Sequence, residues 1–180
     1  MLQEVLMRRI VRPLGPVLVA LASLVVLGSS SARAQVQLLT CPGTGATSYS
    51  PGLTFTPQPT SVTSAGTLGP CVGLNSPVLS ASWSIVAQGT QACLLGSAAG
   101  FLQLQWNDLT TSTIQGSIAA SVRPDGEVVT VATGKVIAGR FLDDTVVLTF
   151  AGLQSQLTAC LAPPGVTATA GPVTLTITNL

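Results

Sequence analysis

Histidine is absent from this chain of 180 residues, and charge is scarce, with seven Lys and Arg side chains and six Asp and Glu. Without imidazole, neither a Ser-His-Asp triad nor a metal site that needs histidine can be built. A formal net charge of +1 cannot supply the clustered cations that neutralise a phosphate backbone, so nucleic acid is excluded as a partner. With 47% hydrophobic residues, the composition is also the opposite of a disordered chain.

Aromatic residues and helical patterns are scarce as well. Aromatics make up 4% of the chain, so we expect a core built mainly from Val, Leu, Ile and Ala, which pack well on pleated sheets. Beyond residue 34, short apolar or alternating runs are separated by turn residues about every 8 to 12 positions, as in β-sandwiches and barrels. The predicted strands are 36–40, 53–56, 61–63, 78–87, 89–98, 100–106, 112–122, 127–137, 140–150 and 173–178.

The segment 78–86 shows the clearest alternation. Leu79, Ala81, Trp83 and Ile85 share one face and serines share the other, which is the pattern of a half-buried antiparallel strand. We therefore predict one all-β domain, an antiparallel β-sandwich of the Ig-like or jelly-roll-like type, with a closed β-barrel as the alternative.

Two segments interrupt the pattern of predicted strands. The sequence Arg123-Pro124-Asp125-Gly126 predicts a hairpin turn, because Pro fixes φ and Asp and Gly favour turn conformations. The stretch 42–70 is crowded with Gly, Pro, Ser and Thr. We expect it to be the least regular part of the domain, with one edge strand near Thr54.

Residues 1–34 resemble a signal peptide. Arg8, Arg9 and Arg12 precede the apolar run 14–27, and Ala32-Arg33-Ala34 supplies a small-x-small cleavage pattern. The run falls short of the roughly 20 apolar residues of a membrane span. We predict cleavage before Gln35, a secreted, extracellular domain over 35–180, and no membrane association once the leader is removed.

Four cysteines follow the predicted cleavage point. An even number in an exported domain indicates two disulfides, for which three connectivities are possible. We favour Cys41–Cys71, which brackets the Gly- and Pro-rich stretch, and Cys93–Cys160, which ties two β-rich regions together. A zinc site is disfavoured because paired C-x-x-C spacing and histidine are both absent.

Few acidic residues are available for chemistry. Asp143 and Asp144 are neighbours on a predicted strand, where their side chains would point to opposite faces rather than flank one bond. A secreted hydrolase that uses them ranks last among our hypotheses. They also lack the ligand spacing of a calcium loop, and no cofactor-binding loop is present, so we predict neither a metal site nor a cofactor.

Two tryptophans remain as candidate binding residues, since exposed aromatic rings can cover the apolar face of a sugar. Trp83 shares its face with apolar residues, which favours a place in the core. Trp106 ends a strand at the turn Asn107-Asp108-Leu109-Thr110, where its ring could stay partly open. Trp106 is therefore the ligand-binding candidate.

A scattered set of positions resembles uncharacterised secreted β-rich proteins of actinobacteria. The resemblance is carried by Trp106, Ser112, Gly134, the segment 139–141 and the segment 160–165. It covers residues 93–180 and implies a secreted β-domain with no catalytic residues to transfer. It also supports the pairing of Cys93 with Cys160.

The sequence thus predicts an exported, non-enzymatic structural or binding module. A mature formal charge of −2, from three cations and five acids, gives a weak field that attracts few charged partners. The expected partner is a neutral polysaccharide or another cell-envelope component. The alternative to a module of undefined ligand is a carbohydrate-binding module that uses an exposed Trp106.

Overall fold

The computed structural model describes residues 37–73, 77–122, 128–152 and 154–179. Its compact unit Gln35–Leu180 is the segment expected to form the mature domain. The predicted leader and the turn 123–126 lie outside the described residues, so both remain predictions.

The described chain is all-β. The strands are β1 (Gln37–Leu53), β2 (Gln58–Leu68), β3 (Val72–Gly73), β4 (Ala81–Gln91), β5 (Gly96–Trp106), β6 (Thr111–Val122), β7 (Val128–Gly139), β8 (Thr145–Gly152) and β9 (Val166–Thr178). A 3-10 helix, Gln154–Leu161, connects β8 to β9.

The sheet closes on itself. Every pairing is antiparallel, in the order β2-β4-β5-β6-β7-β8-β9-β1, and β1 pairs in turn with β2. The short β3 adds to β1 at Leu39 and Thr40, next to the segment that pairs with β2. The fold is therefore an eight-strand barrel with one extra strand. The all-β class and the barrel alternative are confirmed, whereas the sandwich favoured from the sequence is wrong.

The stretch 42–70, expected to be the least regular part of the domain, instead forms most of β1 and β2 and provides the closing pair. Gly45 and Gly66 pair across these strands, and Gly66 also pairs with Trp83 of β4. A Cβ on Gly45 would lie 2.2 Å from Trp83 Cζ2, and one on Gly66 would lie 2.8 Å from Trp83 Nε1. The Trp83 indole thus occupies the space that side chains at positions 45 and 66 would fill. Because both positions are glycine, the sequence of β1 and β2 does not show the apolar–polar alternation of a strand.

Inward-facing side chains fill the barrel unevenly. Toward one end the interior is packed with large apolar residues, each at most 2% exposed: Leu39, Leu68, Leu104, Trp106, Val136, Val146, Val173, Leu175 and Ile177. Trp83 is 4% exposed, as its apolar face predicted. Toward the other end polar residues join the interior, where Thr47 and Ser64 share a hydrogen bond between their Oγ atoms at 2.7 Å.

Both disulfides form in the pairing favoured from the sequence, Cys41–Cys71 and Cys93–Cys160. Cys41 is buried inside β1, and its bridge to Cys71 holds the chain where it enters β3. The second bridge fixes the 3-10 helix to the β4–β5 loop. The pairs are compatible with an oxidising compartment.

Candidate functional site on the outer face of the barrel

The predicted binding residue Trp106 is not available to a ligand. The residue is 1% exposed, its Nε1 donates a hydrogen bond to Ser112 Oγ at 2.9 Å, and its ring packs edge-to-face with the ring of Phe141, with 5.4 Å between the centroids. Trp106 occupies an inward position of β5, like Leu102 and Leu104, and the β7–β8 turn brings Phe141 against it. The expectation of an exposed Trp106 is wrong, because the sequence does not reveal this neighbour.

The two adjacent acids lie in a turn rather than on the predicted strand 140–150. β8 begins at Thr145, and Asp143 has a φ of 69°. Asp143 is exposed, whereas Asp144 is 9% exposed. Burial, followed by the charge of Asp143, raises the pKa of Asp144. Asp143 and Asp144 thus differ in exposure, and among the described residues they belong to no group of three or more side chains that could hold a metal ion.

The remaining charges of the described chain serve local roles. Asp108 accepts hydrogen bonds from Thr110 and pairs with Arg140 across the neighbouring turn. The hydrogen bond from the Thr110 side chain is the main cause that lowers the pKa of Asp108. Lys135 is exposed on β7. Within the described ranges, no group of three or more acids, cysteines or histidines could hold a metal ion.

A depression of about 510 Å³ lies on the outside of the barrel, over β4, β5 and β6. Outward side chains of these three strands form it, and we call this surface the polar face. Of the residues that line the depression, Trp83, Leu104 and Ser112 are buried. The six that point outward are Ser82, Ser84, Gln103, Gln105, Thr111 and Thr113. Four have hydroxyl groups and two have amides, so the whole set can both donate and accept hydrogen bonds and none is charged.

The strand register orders the polar face into rows. Ser82, Gln105 and Thr111 are directly paired across the three strands, and Ser84, Gln103 and Thr113 form the next row. Side chains in successive rows on one strand are about 7 Å apart. Five of the six residues are exposed, and Thr113 is half-buried.

An exposed aromatic ring continues this surface. Phe101, which is 48% exposed, lies two residues before Gln103 on β5 and therefore on the same side of the sheet. Val86 and Gln115 flank it in the next row. The outer surface thus combines an apolar ring with a field of neutral hydrogen-bonding groups.

Sequence reasoning identified the serine face of β4 but did not select the glutamines or Phe101. The signal was available, because Phe101, Gln103 and Gln105 alternate with the buried Leu102 and Leu104. What the sequence could not supply was the strand neighbours, since the β4–β5–β6 register alone brings these polar side chains together.

Three comparisons with known proteins found no match: no family model, no curated protein and no solved structure corresponds to this chain. The resemblance to secreted actinobacterial proteins stays a prediction. No helix in the described ranges has the length and hydropathy to cross a membrane.

Proposed function

We propose that this protein is a secreted, non-enzymatic module that binds a neutral polysaccharide on the polar face. The observation that carries the proposal is the depression of about 510 Å³ lined by uncharged hydroxyl and amide side chains. Its volume falls within the range of ligand sites in proteins, roughly 300 to 1,000 Å³.

The chemistry of the polar face matches that of a neutral sugar. Each sugar hydroxyl both donates and accepts, as do the amides of Gln103 and Gln105 and the hydroxyls of the serines and threonines. A charged ligand would lose water here without gaining an opposite charge. Phe101 offers a ring on which the apolar side of a pyranose can rest.

The surface also suits an extended ligand. It is open, and the rows of polar side chains continue along β5 toward Phe101. A polymer could therefore lie on it without entering a closed cavity. This form of binding preserves the carbohydrate hypothesis but replaces Trp106 with Phe101, Gln103 and Gln105.

Retention on insoluble polysaccharides tests the proposal. We expect the protein to be retained on at least one of cellulose, xylan and mannan, and not on a polyuronate. Gln103→Ala, Gln105→Ala and Phe101→Ala should each weaken binding about 3- to 10-fold, since each removes one hydrogen-bonding group or one ring contact.

Matched controls are present on the same molecule. Phe55 is exposed to a similar extent, 46%, and lies outside the polar face, so Phe55→Ala should leave binding unchanged. Thr174→Ala, at an exposed position of β9 on the opposite side of the closed sheet from β5, serves the same purpose for the hydrogen-bonding side chains. Absence of retention on all three neutral polymers, or equal losses in the control variants, contradicts the proposal.

A further inference from the structure

The less densely packed end of the barrel contains a small internal chamber. It is lined by Thr47, Tyr49, Ser64 and Trp83 together with apolar side chains that include Ala132 and Leu148. Its volume of about 30 Å³ is room for about two water molecules. The chamber lies inside the barrel, whereas the polar face is on its outer surface, so the two are separate.

Trp83 is the unusual member of this lining. The residue is only 4% exposed. Its Nε1 is buried and has no hydrogen-bond partner among the residues that the structure describes. A buried indole N–H usually finds an acceptor, because leaving it without one is costly. The other tryptophan obeys this rule, since Trp106 donates to Ser112.

A second pocket, at the end of the barrel, shares part of its lining with the chamber. Tyr49, Thr130 and Phe150 line both spaces. The end pocket has a volume of about 50 Å³ and is also lined by Leu53, Val166 and the Cys93–Cys160 bridge. Together the two spaces have room for roughly six non-hydrogen atoms, on the same scale of one water per 10 to 15 Å³.

The surroundings of the end pocket are apolar. Four exposed hydrophobic side chains lie within two positions of its lining residues in the sequence, and we call them the apolar rim: Phe55, Leu94, Leu95 and Leu161. The Cys93 N–H donates to the carbonyl of Thr54 at 2.9 Å, and Cys93 is bonded to Cys160. This hydrogen bond and this disulfide hold the chain segments of Phe55, of Leu94 and Leu95, and of Leu161 together at one end of the barrel.

We propose that the barrel interior binds one small neutral molecule, mostly apolar and of about six non-hydrogen atoms, whose single oxygen accepts the hydrogen bond of Trp83 Nε1. The ligand enters past the apolar rim, and its apolar part occupies the end pocket. Ionic ligands are excluded because the lining provides no charged group to pair with them. This site is independent of polysaccharide binding on the polar face.

Straight-chain primary alcohols from propanol to octanol are suitable probes. In the ¹⁵N-labelled protein we expect the indole N–H resonance of Trp83 to shift saturably, while that of Trp106, already bonded to Ser112, stays in place. Affinity should rise with chain length to about pentanol, which has six non-hydrogen atoms, and then fall at least several-fold once the chain exceeds the available space.

Ala132→Leu adds bulk to the chamber and should weaken pentanol binding at least tenfold. Leu95→Ser, on the apolar rim but outside the lining, is the control and should retain the saturable Trp83 shift. Ala132→Leu could impair folding. The alcohol titration of the unmodified protein therefore tests the proposal without this variant.

Three results would overturn the proposal. An affinity that keeps rising through octanol indicates partition onto the apolar rim. Equal shifts of both indole resonances indicate a nonspecific solvent effect. A Trp83 indole that exchanges magnetisation with a long-lived water and does not respond to any alcohol identifies the chamber as a hydration site.

Discussion

At the scale of single residues, the two tryptophans show what sequence reasoning can and cannot reach. Period-two alternation correctly placed Trp83 in the core, because its neighbours on the same face are apolar. The same argument applied to Trp106, which shares its face with Leu102 and Leu104, but its place beside a turn suggested exposure. The ring of Phe141, 35 positions away in the sequence, buries it, and no local pattern could have revealed that contact.

Asp144 leads to a prediction about pH. Because burial raises its pKa in the folded protein, the protonated carboxyl is favoured by folding. This contribution to stability is complete below the unfolded-state pKa and is lost as the pH rises through the folded-state pKa. Asp144→Asn should therefore be more stable than the natural protein at pH 7, and the difference should vanish near ~pH 3.

Urea denaturation at a series of pH values measures this effect. Asp108→Asn is a control of opposite sign, because the hydrogen bond from Thr110 lowers the pKa of Asp108 and its contribution is lost as the pH falls. That variant should be the less stable one at pH 7. An Asp144→Asn variant that is less stable than the natural protein at neutral pH would contradict the assignment.

At the scale of elements, alternation and turn residues located β6 and β7 closely, whereas most of β1 and β2 was missed. The predicted strand 89–98 is wrong because it runs across the β4–β5 turn, and the predicted strand 173–178 is only the second half of β9. The prediction used Gly and Pro as marks of irregular structure. In β1 and β2 the glycines instead make space for a side chain of β4. This use of glycine depends on a neighbour that is distant in the sequence, so it cannot be recognised before the pairing is known.

The contact between Gly45 and Trp83 can be tested with a double-mutant cycle. Gly45→Ala places a Cβ against Trp83 Cζ2 and should destabilise the protein by about 1–3 kcal/mol through overpacking. In a Trp83→Phe background the ring no longer reaches as far, so the same substitution should cost less. The free energy of unfolding in urea provides the measurement.

Gly152→Ala is the matched control for this cycle. The nearest atom to a Cβ at Gly152 would be 3.5 Å away, which is an ordinary contact, so the variant should differ little from the natural protein. Additive effects of Gly45→Ala and Trp83→Phe would show that the two sites do not interact and would refute the packing argument.

At the scale of the whole molecule, composition predicted the all-β class and the cysteine count predicted the two bridges. Composition could not distinguish a sandwich from a barrel, because both need short alternating strands of similar spacing. The difference depends on one pairing, β1 with β2, formed within the segment whose pattern was hidden. The candidate site could not be derived from the sequence either. Its side chains come from three strands and lie together only because of the register between those strands.

The two disulfides should contribute unequally to global stability. Cys93–Cys160 spans 67 residues and Cys41–Cys71 spans 30. From the entropy of closing these loops, we expect their separate removal by paired Cys→Ala substitutions to cost up to about 4.4 and 3.7 kcal/mol. Thermal or urea unfolding of the two double variants measures the order, and a greater loss for the Cys41–Cys71 variant would contradict it.

Closure of the sheet also bears on how copies of this protein behave toward one another. The predicted mature domain 35–180 has a formal charge of −2, which provides little mutual repulsion in concentrated solution. Unsatisfied ladder groups at a free strand would then invite intermolecular β-pairing. Here β1 and β2 satisfy one another's ladder groups, and β3 extends that cover along β1. We expect the protein to resist aggregation only while the β1–β2 pairing is intact. Disrupting this pairing would promote fibrous aggregation well before the remaining strands unfold.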